Sequence, residues 1–68
     1  MVEVSSSAIR AIEYDNVLRR LKVTFITGRT YTYYEVPKWK YRSLITASSV
    51  GTFFNENIRD QHPFSRDR

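Results

Sequence analysis

The sequence predicts an α+β domain, a three-stranded antiparallel sheet followed by two short helices packed on one of its faces. Three observations carry this. Apolar residues alternate with polar ones in the first half of the chain, at Leu21, Val23 and Phe25 and again through "TYTYYEV". Past Pro37 the apolar residues recur instead at three- and four-residue spacing. Strands first and helices after them read as helices covering one side of a sheet.

The first strand falls in "SAIRAIEYDN". Ile9 and Ile12 are three apart, which suits one helical turn, but Tyr14 and the closing Asp15-Asn16 suit a strand running into a turn. A strand bulged between Ile9 and Ile12 reconciles both features and is the favoured reading. The second strand, within "RRLKVTFITG" with Thr27-Gly28 as its turn signal, and the third, "TYTYYEV", form a hairpin around Gly28.

Loop length decides where the tyrosines point. With a two-residue loop, Thr27-Gly28, Phe25 shares a face with Thr30, Thr32 and Tyr34, and Tyr31 and Tyr33 turn outward. With a three-residue loop that puts Gly28 in the left-handed region, Val23 sits beside Tyr31 and Leu21 beside Tyr33 on one inner face. Apolar matching favours the second arrangement, and a one-residue slip would invert every side chain. The opposite face then shows Arg20, Lys22, Thr24 and Ile26 beside Thr30, Thr32 and Tyr34.

Pro37 suits a helix start. Tyr41, Leu44 and Ile45 mark the inner stripe of the first helix, with Lys38, Lys40 and Arg42 mostly on its other sides. Ser48 and Ser49 offer caps for a second helix, whose inner stripe is Val50, Phe53, Phe54, Asn57 and Ile58. Gly51 in its first turn suggests a close backbone neighbour. Residues 1–60 make the domain, and residues 61–68, "QHPFSRDR", read as a flexible polar tail.

Sixty-eight residues bury only about 60% of the unfolded surface, so stability is thin. No cysteine supplies a disulfide or a thiolate site. His62 has no second imidazole with which to share a metal, and the two glycines cannot form a phosphate loop. The serine runs at 5–7 and 48–49 lack a neighbouring base. An enzyme is therefore not expected, nor a cofactor or a metal. No segment reaches the roughly 20 apolar residues of a membrane span, and the N-terminus lacks a secretory pattern, so the expected location is the cytoplasm.

Eleven Lys and Arg against seven Asp and Glu give a net charge of +4, which suits phosphate-rich partners. Arg20, Lys22, Lys38, Lys40 and Arg42 are the candidate phosphate contacts, with Tyr34 and Trp39 as stacking rings. RNA or tRNA is the expected partner. The alternative is a protein partner docking on Trp39 and the open sheet face, with the chain a monomer or a weak dimer.

In order, "SSAIRAIEYD", Leu21-x-Val23-x-Phe25-x-x-Gly28-x-x-Tyr31-x-Tyr33-x-x-Val36-Pro37 and Ala47-x-Ser49-x-Gly51-x-Phe53-Phe54-Asn55-x-x-Ile58-Arg59 closely resemble the KTSC domain, from about Ser6 to Arg59. That family takes its name from the C-terminus of some lysyl-tRNA synthetases and also occurs as short bacterial proteins. The resemblance implies an association with RNA. It also singles out the Tyr-x-Tyr pair Tyr31 and Tyr33, together with Gly28, Pro37, Ser49, Gly51, Phe54, Asn55 and Arg59. Asn55 and Arg59, four apart on one helix, are the polar members least explained by packing. Lys40 stands where the resemblance implies an apolar residue, so the first helix is expected to pack differently.

Overall fold

The computed structural model describes residues 2–4 and 6–67. The sheet has five antiparallel strands in sequential order: β1 (Val2–Glu3), β2 (Ile9–Asp15), β3 (Arg20–Phe25), β4 (Thr30–Tyr33) and β5 (Phe64–Asp67). Between β4 and β5 the chain forms α1 (Lys38–Thr46) and α2 (Val50–Phe54), and α2 runs on into a π-helical turn over Asn55–Arg59. The expected α+β class, antiparallel sheet and two helices are all present. The expected count of three strands is corrected to five, because each edge of the three-strand core gains a partner. β1 adds only two residues, whereas β5 adds four.

The hairpin follows the three-residue loop. Phe25 N–H donates to the Arg29 carbonyl at 2.9 Å, and Gly28 N–H donates to the Phe25 carbonyl at 2.9 Å. Gly28 has φ +93°, a left-handed backbone that glycine adopts without a Cβ penalty. Leu21 therefore pairs with Tyr33 and Val23 with Tyr31. Leu21, Val23 and Tyr33 are buried. The register of β2 against β3 shifts between Ile9 and Ala11, so Arg10 is the extra residue of a bulge. The bulge lets Ile9 and Ile12, three apart, both reach the core. Ser6 holds the approach to this bulge, its Oγ accepting from the Ala8 and Ile9 N–H groups at 3.2 and 3.3 Å.

Both helices pack on that inner face. Val36, Leu44, Val50, Phe54 and Ile58 close the core over Ile9, Ile12, Leu21 and Val23. Tyr14 stacks on Tyr41 with centroids 4.8 Å apart, and its hydroxyl donates to the Val36 carbonyl at 2.7 Å. Pro37 is the flanking residue before α1 and not its first helical residue; its carbonyl accepts from Lys40 N–H. Ser49 caps α2, its Oγ accepting from Thr52 N–H at 3.4 Å. At Gly51 an added Cβ would meet only Ser6 Oγ, at 3.8 Å. This is ordinary contact, so the expected close backbone neighbour is absent from that point.

Two further expectations are corrected. Residues 61–68 do not form a loose tail over their described part, since β5 pairs with the free edge of β4. Phe64 faces the rings of Tyr31 and Tyr33 at 5.6 and 5.4 Å, and Tyr34 Oη lies 2.6 Å from Ser65 Oγ. The second correction is Lys40, which points inward and is 9% exposed. It lies one turn before Leu44 on the buried stripe, so its stem packs while its ammonium reaches the margin of the core. There the Nζ donates to the Asn57 carbonyl at 2.8 Å and Gln61 Oε1 at 3.2 Å, and lies 2.9 Å from His62 Nε2.

Candidate functional site: an arginine-rimmed aromatic cleft

Five rings meet where β4 and β5 extend past the helices. Phe54 sits edge-on to Phe25 at 5.7 Å and to Tyr33 at 5.3 Å. Tyr31 lies edge-on to Phe25 at 5.4 Å and stacks loosely on Tyr33 at 6.5 Å. Phe64 completes the row and is 54% exposed. Burial grades along it, from Phe54 and Tyr33 inside the core to Phe64 in solvent. The sheet supplies one wall and the end of α2 the other, enclosing a cleft of about 730 Å³.

Polar groups ring this apolar floor. Asn55 and Arg59 come from the π-helical turn, Asp60 follows it, and Arg29 comes from the β3–β4 turn. Arg66 lies opposite Tyr31 in β5 and two residues beyond Phe64, so strand alternation sets it on the same face. The π turn matters here because it places Asn55 and Arg59 at the cleft while Phe54 and Ile58 remain buried. Among the described residues, the side chains of Arg29, Asn55, Arg59 and Arg66 make no hydrogen bond.

Tyr33 is held protonated. Burial raises its phenol above the usual value, as does the neighbouring Tyr31, and Asp60 adds to this while Arg59 opposes it. Burial thus favours the neutral phenol over the phenolate.

The seven residues expected to contact nucleic acid do not form one surface. Arg20, Lys22 and Tyr34 stand on the face away from the helices. There Asp15 lies directly opposite Arg20 and Glu13 opposite Lys22, so acids offset that basic face. Tyr34 has the Arg20 guanidinium 5.2 Å from its ring centroid. Lys38, Trp39 and Arg42 are exposed on α1, in the other layer, and Lys40 is interior. Of the residues singled out by family resemblance, Tyr31, Tyr33, Asn55 and Arg59 do converge, all on the cleft. Arg29, Asp60, Phe64 and Arg66 were missed. The alternation "FSRD" was the available signal for two of them, but so short a polar run carries it weakly.

The Lys40–His62 contact fixes the point where the chain turns back into β5, and it yields a pH prediction. Burial lowers the His62 pKa below its ordinary 6.5, and the adjacent Lys40 ammonium lowers it further; the Tyr34 backbone and Glu35 act in the opposite direction. The folded state thus binds fewer protons than the unfolded chain just below pH 6.5. Stability is then full at neutral pH and falls as pH drops through the range below about 6.5. Urea midpoints measured from about pH 8 to about pH 5 are expected to show this decline. In His62→Gln, a neutral acceptor that cannot titrate, the decline should be shallower. An identical profile in the variant would refute the assignment.

Among the described residues no group of three or more His, Cys, Asp or Glu could hold a metal ion, and no helix is long and apolar enough to cross a membrane. A family model and a solved structure name the same family. The KTSC domain model matches residues 5–62. A protein from Tsukamurella paurometabola is 46% identical over 59 residues, 87% of this chain and 88% of its own length. One from Stutzerimonas stutzeri is 36% identical over 61 residues, covering 90% and 86%. The crystal structure of a KTSC domain protein from Yersinia pestis superposes with a TM-score of 0.91 at 34% identity, covering 97% of this chain and 93% of that one. With nearly its whole length matched in sequence and in backbone, the chain belongs to the KTSC domain family.

Proposed function

We propose that this protein is a small nucleic-acid-binding module, most suited to single-stranded RNA, and that it binds through the arginine-rimmed cleft. The observation that carries this reading is the juxtaposition of the half-exposed Phe64 ring with Arg29, Arg59 and Arg66, all without hydrogen bonds to described residues. Single-strand binders combine these same two elements, rings under bases and cations along phosphates.

Fluorescence anisotropy with a labelled single-stranded RNA at two ionic strengths tests the reading. Binding should weaken as salt rises, because phosphate contacts release counterions. Arg59→Gln should weaken binding by about tenfold, the size of one charged hydrogen-bonding contact, with the melting curve unchanged. Undetectable binding at low salt would remove the proposal.

A second reading, a protein-interaction module with no nucleic-acid ligand, draws support from Val17, Leu18 and Trp39, which are 86%, 55% and 58% exposed. The Val36 N–H donates to the Arg19 carbonyl, so the β2–β3 turn lies beside the segment leading to α1. Concentration-dependent sedimentation that Leu18→Ser abolishes would favour this reading.

A further inference from the structure

We propose that the cleft accommodates a single unpaired nucleotide, its base on Phe64 and Tyr31 and its flanking phosphates on Arg29, Arg59 and Arg66, and not a continuous run of strand. This rests on the nucleic-acid reading above and narrows it.

The rings set the first limit. Proteins that follow a strand need successive stacking platforms. Here Phe25, Tyr33 and Phe54 are engaged with one another inside the fold, leaving Phe64 as the open end of the row with Tyr31 behind it. Tyr34 is on the other face beneath Arg20, and Trp39 is on α1 with the Lys40 ammonium 5.7 Å from its ring. Among the described rings of the cleft, Phe64 is the exposed one, a platform for one base with Tyr31 backing it.

The charges set the second limit. Beyond Arg59 the wall continues with Asp60, and Glu56 lies three residues back on the same turn. A phosphate chain leaving the arginines in that direction meets carboxylates. Around the β5 edge it meets the outer face at Ser65 and then Thr32, both uncharged. Among the described residues, the uncharged Ser65 and Thr32 therefore stand between the arginines and Lys22 on β3. The cleft volume of about 730 Å³ is within the usual range for a small-molecule pocket.

The polar wall suits a base edge. Asn55 both donates and accepts, and Asp60 accepts, so together they can meet a Watson–Crick edge that a duplex would hide. A base within a stack also has no free face to offer Phe64. The ligand class is therefore an unpaired nucleotide at a strand end, loop or bulge.

Competition against a labelled single-stranded RNA tests this, with a nucleoside 5′-monophosphate, a trinucleotide, a dodecanucleotide and a blunt RNA duplex as competitors. Corrected for the number of positions, trinucleotide and dodecanucleotide should agree within about threefold, and both should show a salt slope of about −1.4, as contacts to the two flanking phosphates imply. The monophosphate should compete at higher concentration, and the duplex should be weaker than the trinucleotide by about tenfold or more. Phe64→Leu keeps the apolar contact with β4 but lacks a ring, and should lose about tenfold in affinity at an unchanged salt slope. Arg59→Gln should lower the slope by about one. Affinity that climbs steeply with length, with a steepening salt slope, would overturn the one-nucleotide site while leaving nucleic-acid binding intact. A duplex that competes as well as the trinucleotide would do the same. If no oligonucleotide binds at low salt, both readings fall together.

Discussion

Replacing Phe54 with alanine is expected to cost about 3–5 kcal/mol and to leave the chain largely unfolded at room temperature. Phe54 is 3% exposed and lies edge-on to both Phe25 and Tyr33, so its ring joins the helix layer to the sheet. Removing it deletes the transfer free energy of a whole ring and leaves a void that two stiff aromatic neighbours cannot fill. A domain of this size has only about 3–10 kcal/mol in total, at 0.05–0.15 per residue. Circular dichroism during urea titration provides the measurement. Phe54→Leu, which keeps much of the volume, should remain folded with a lowered midpoint. A cooperative, wild-type-like transition in Phe54→Ala would mean that this ring does not pack as described.

Ending the chain after His62 is expected to have the next largest effect. It removes β5, and with it the contacts of Phe64 with Tyr31 and Tyr33 and the Tyr34–Ser65 hydrogen bond. Aromatic pairs contribute about 0.5–1.5 kcal/mol each and a hydrogen bond about 1. The loss of about 2–4 kcal/mol corresponds to a melting temperature lower by about 10–20 °C. The truncation also uncovers the edge of β4, an exposed pairing surface that favours self-association. Calorimetry and size-exclusion chromatography should show both effects. In the full chain, Tyr34 N–H donates to the Pro63 carbonyl at 2.9 Å and should be protected from hydrogen exchange. Exchange of that amide at the free-peptide rate, or a truncated chain that melts with the full one, would refute the docking of β5. On the proposed function, RNA binding should fail in the truncated chain as well, since Phe64 and Arg66 are gone.

The two expectations that fared differently show where local pattern reaches its limit. Residues 20–34 could be read closely because two constraints agreed there. Gly28 could supply the left-handed residue of a three-residue loop, and only that loop put Leu21, Val23, Tyr31 and Tyr33 on one side. The bulge in β2 was legible for a similar reason, since Ile9 and Ile12 at a spacing of three could both reach one core only if the strand kinked. β5 had no such signal. "FSRD" has one apolar residue and little strand character, and it is ordered by an edge that exists only after β4 has paired with β3.

Lys40 misled for the opposite reason. Its charge argued for solvent, yet its place one turn before Leu44 gave it to the interior, where the Asn57 carbonyl, Gln61 and His62 receive the ammonium. Those three acceptors come from residues about twenty positions away, so no window around Lys40 contains them. The outer sheet face shows the same limit, since Asp15 and Glu13 oppose Arg20 and Lys22 only once β2 pairs with β3.

The order of the chain by itself determined the α+β class, the hairpin register, the inward turn of Tyr31 and Tyr33 and the family, because these depend on spacing between near neighbours and on which side of a strand each residue takes. Tertiary structure alone decided that the last strand forms, that Lys40 is enclosed, and that Arg29 and Arg59 line one cleft with Phe64. Each of those outcomes depends on groups brought together from separate parts of the chain, whose proximity is a product of the finished sheet and not of local sequence.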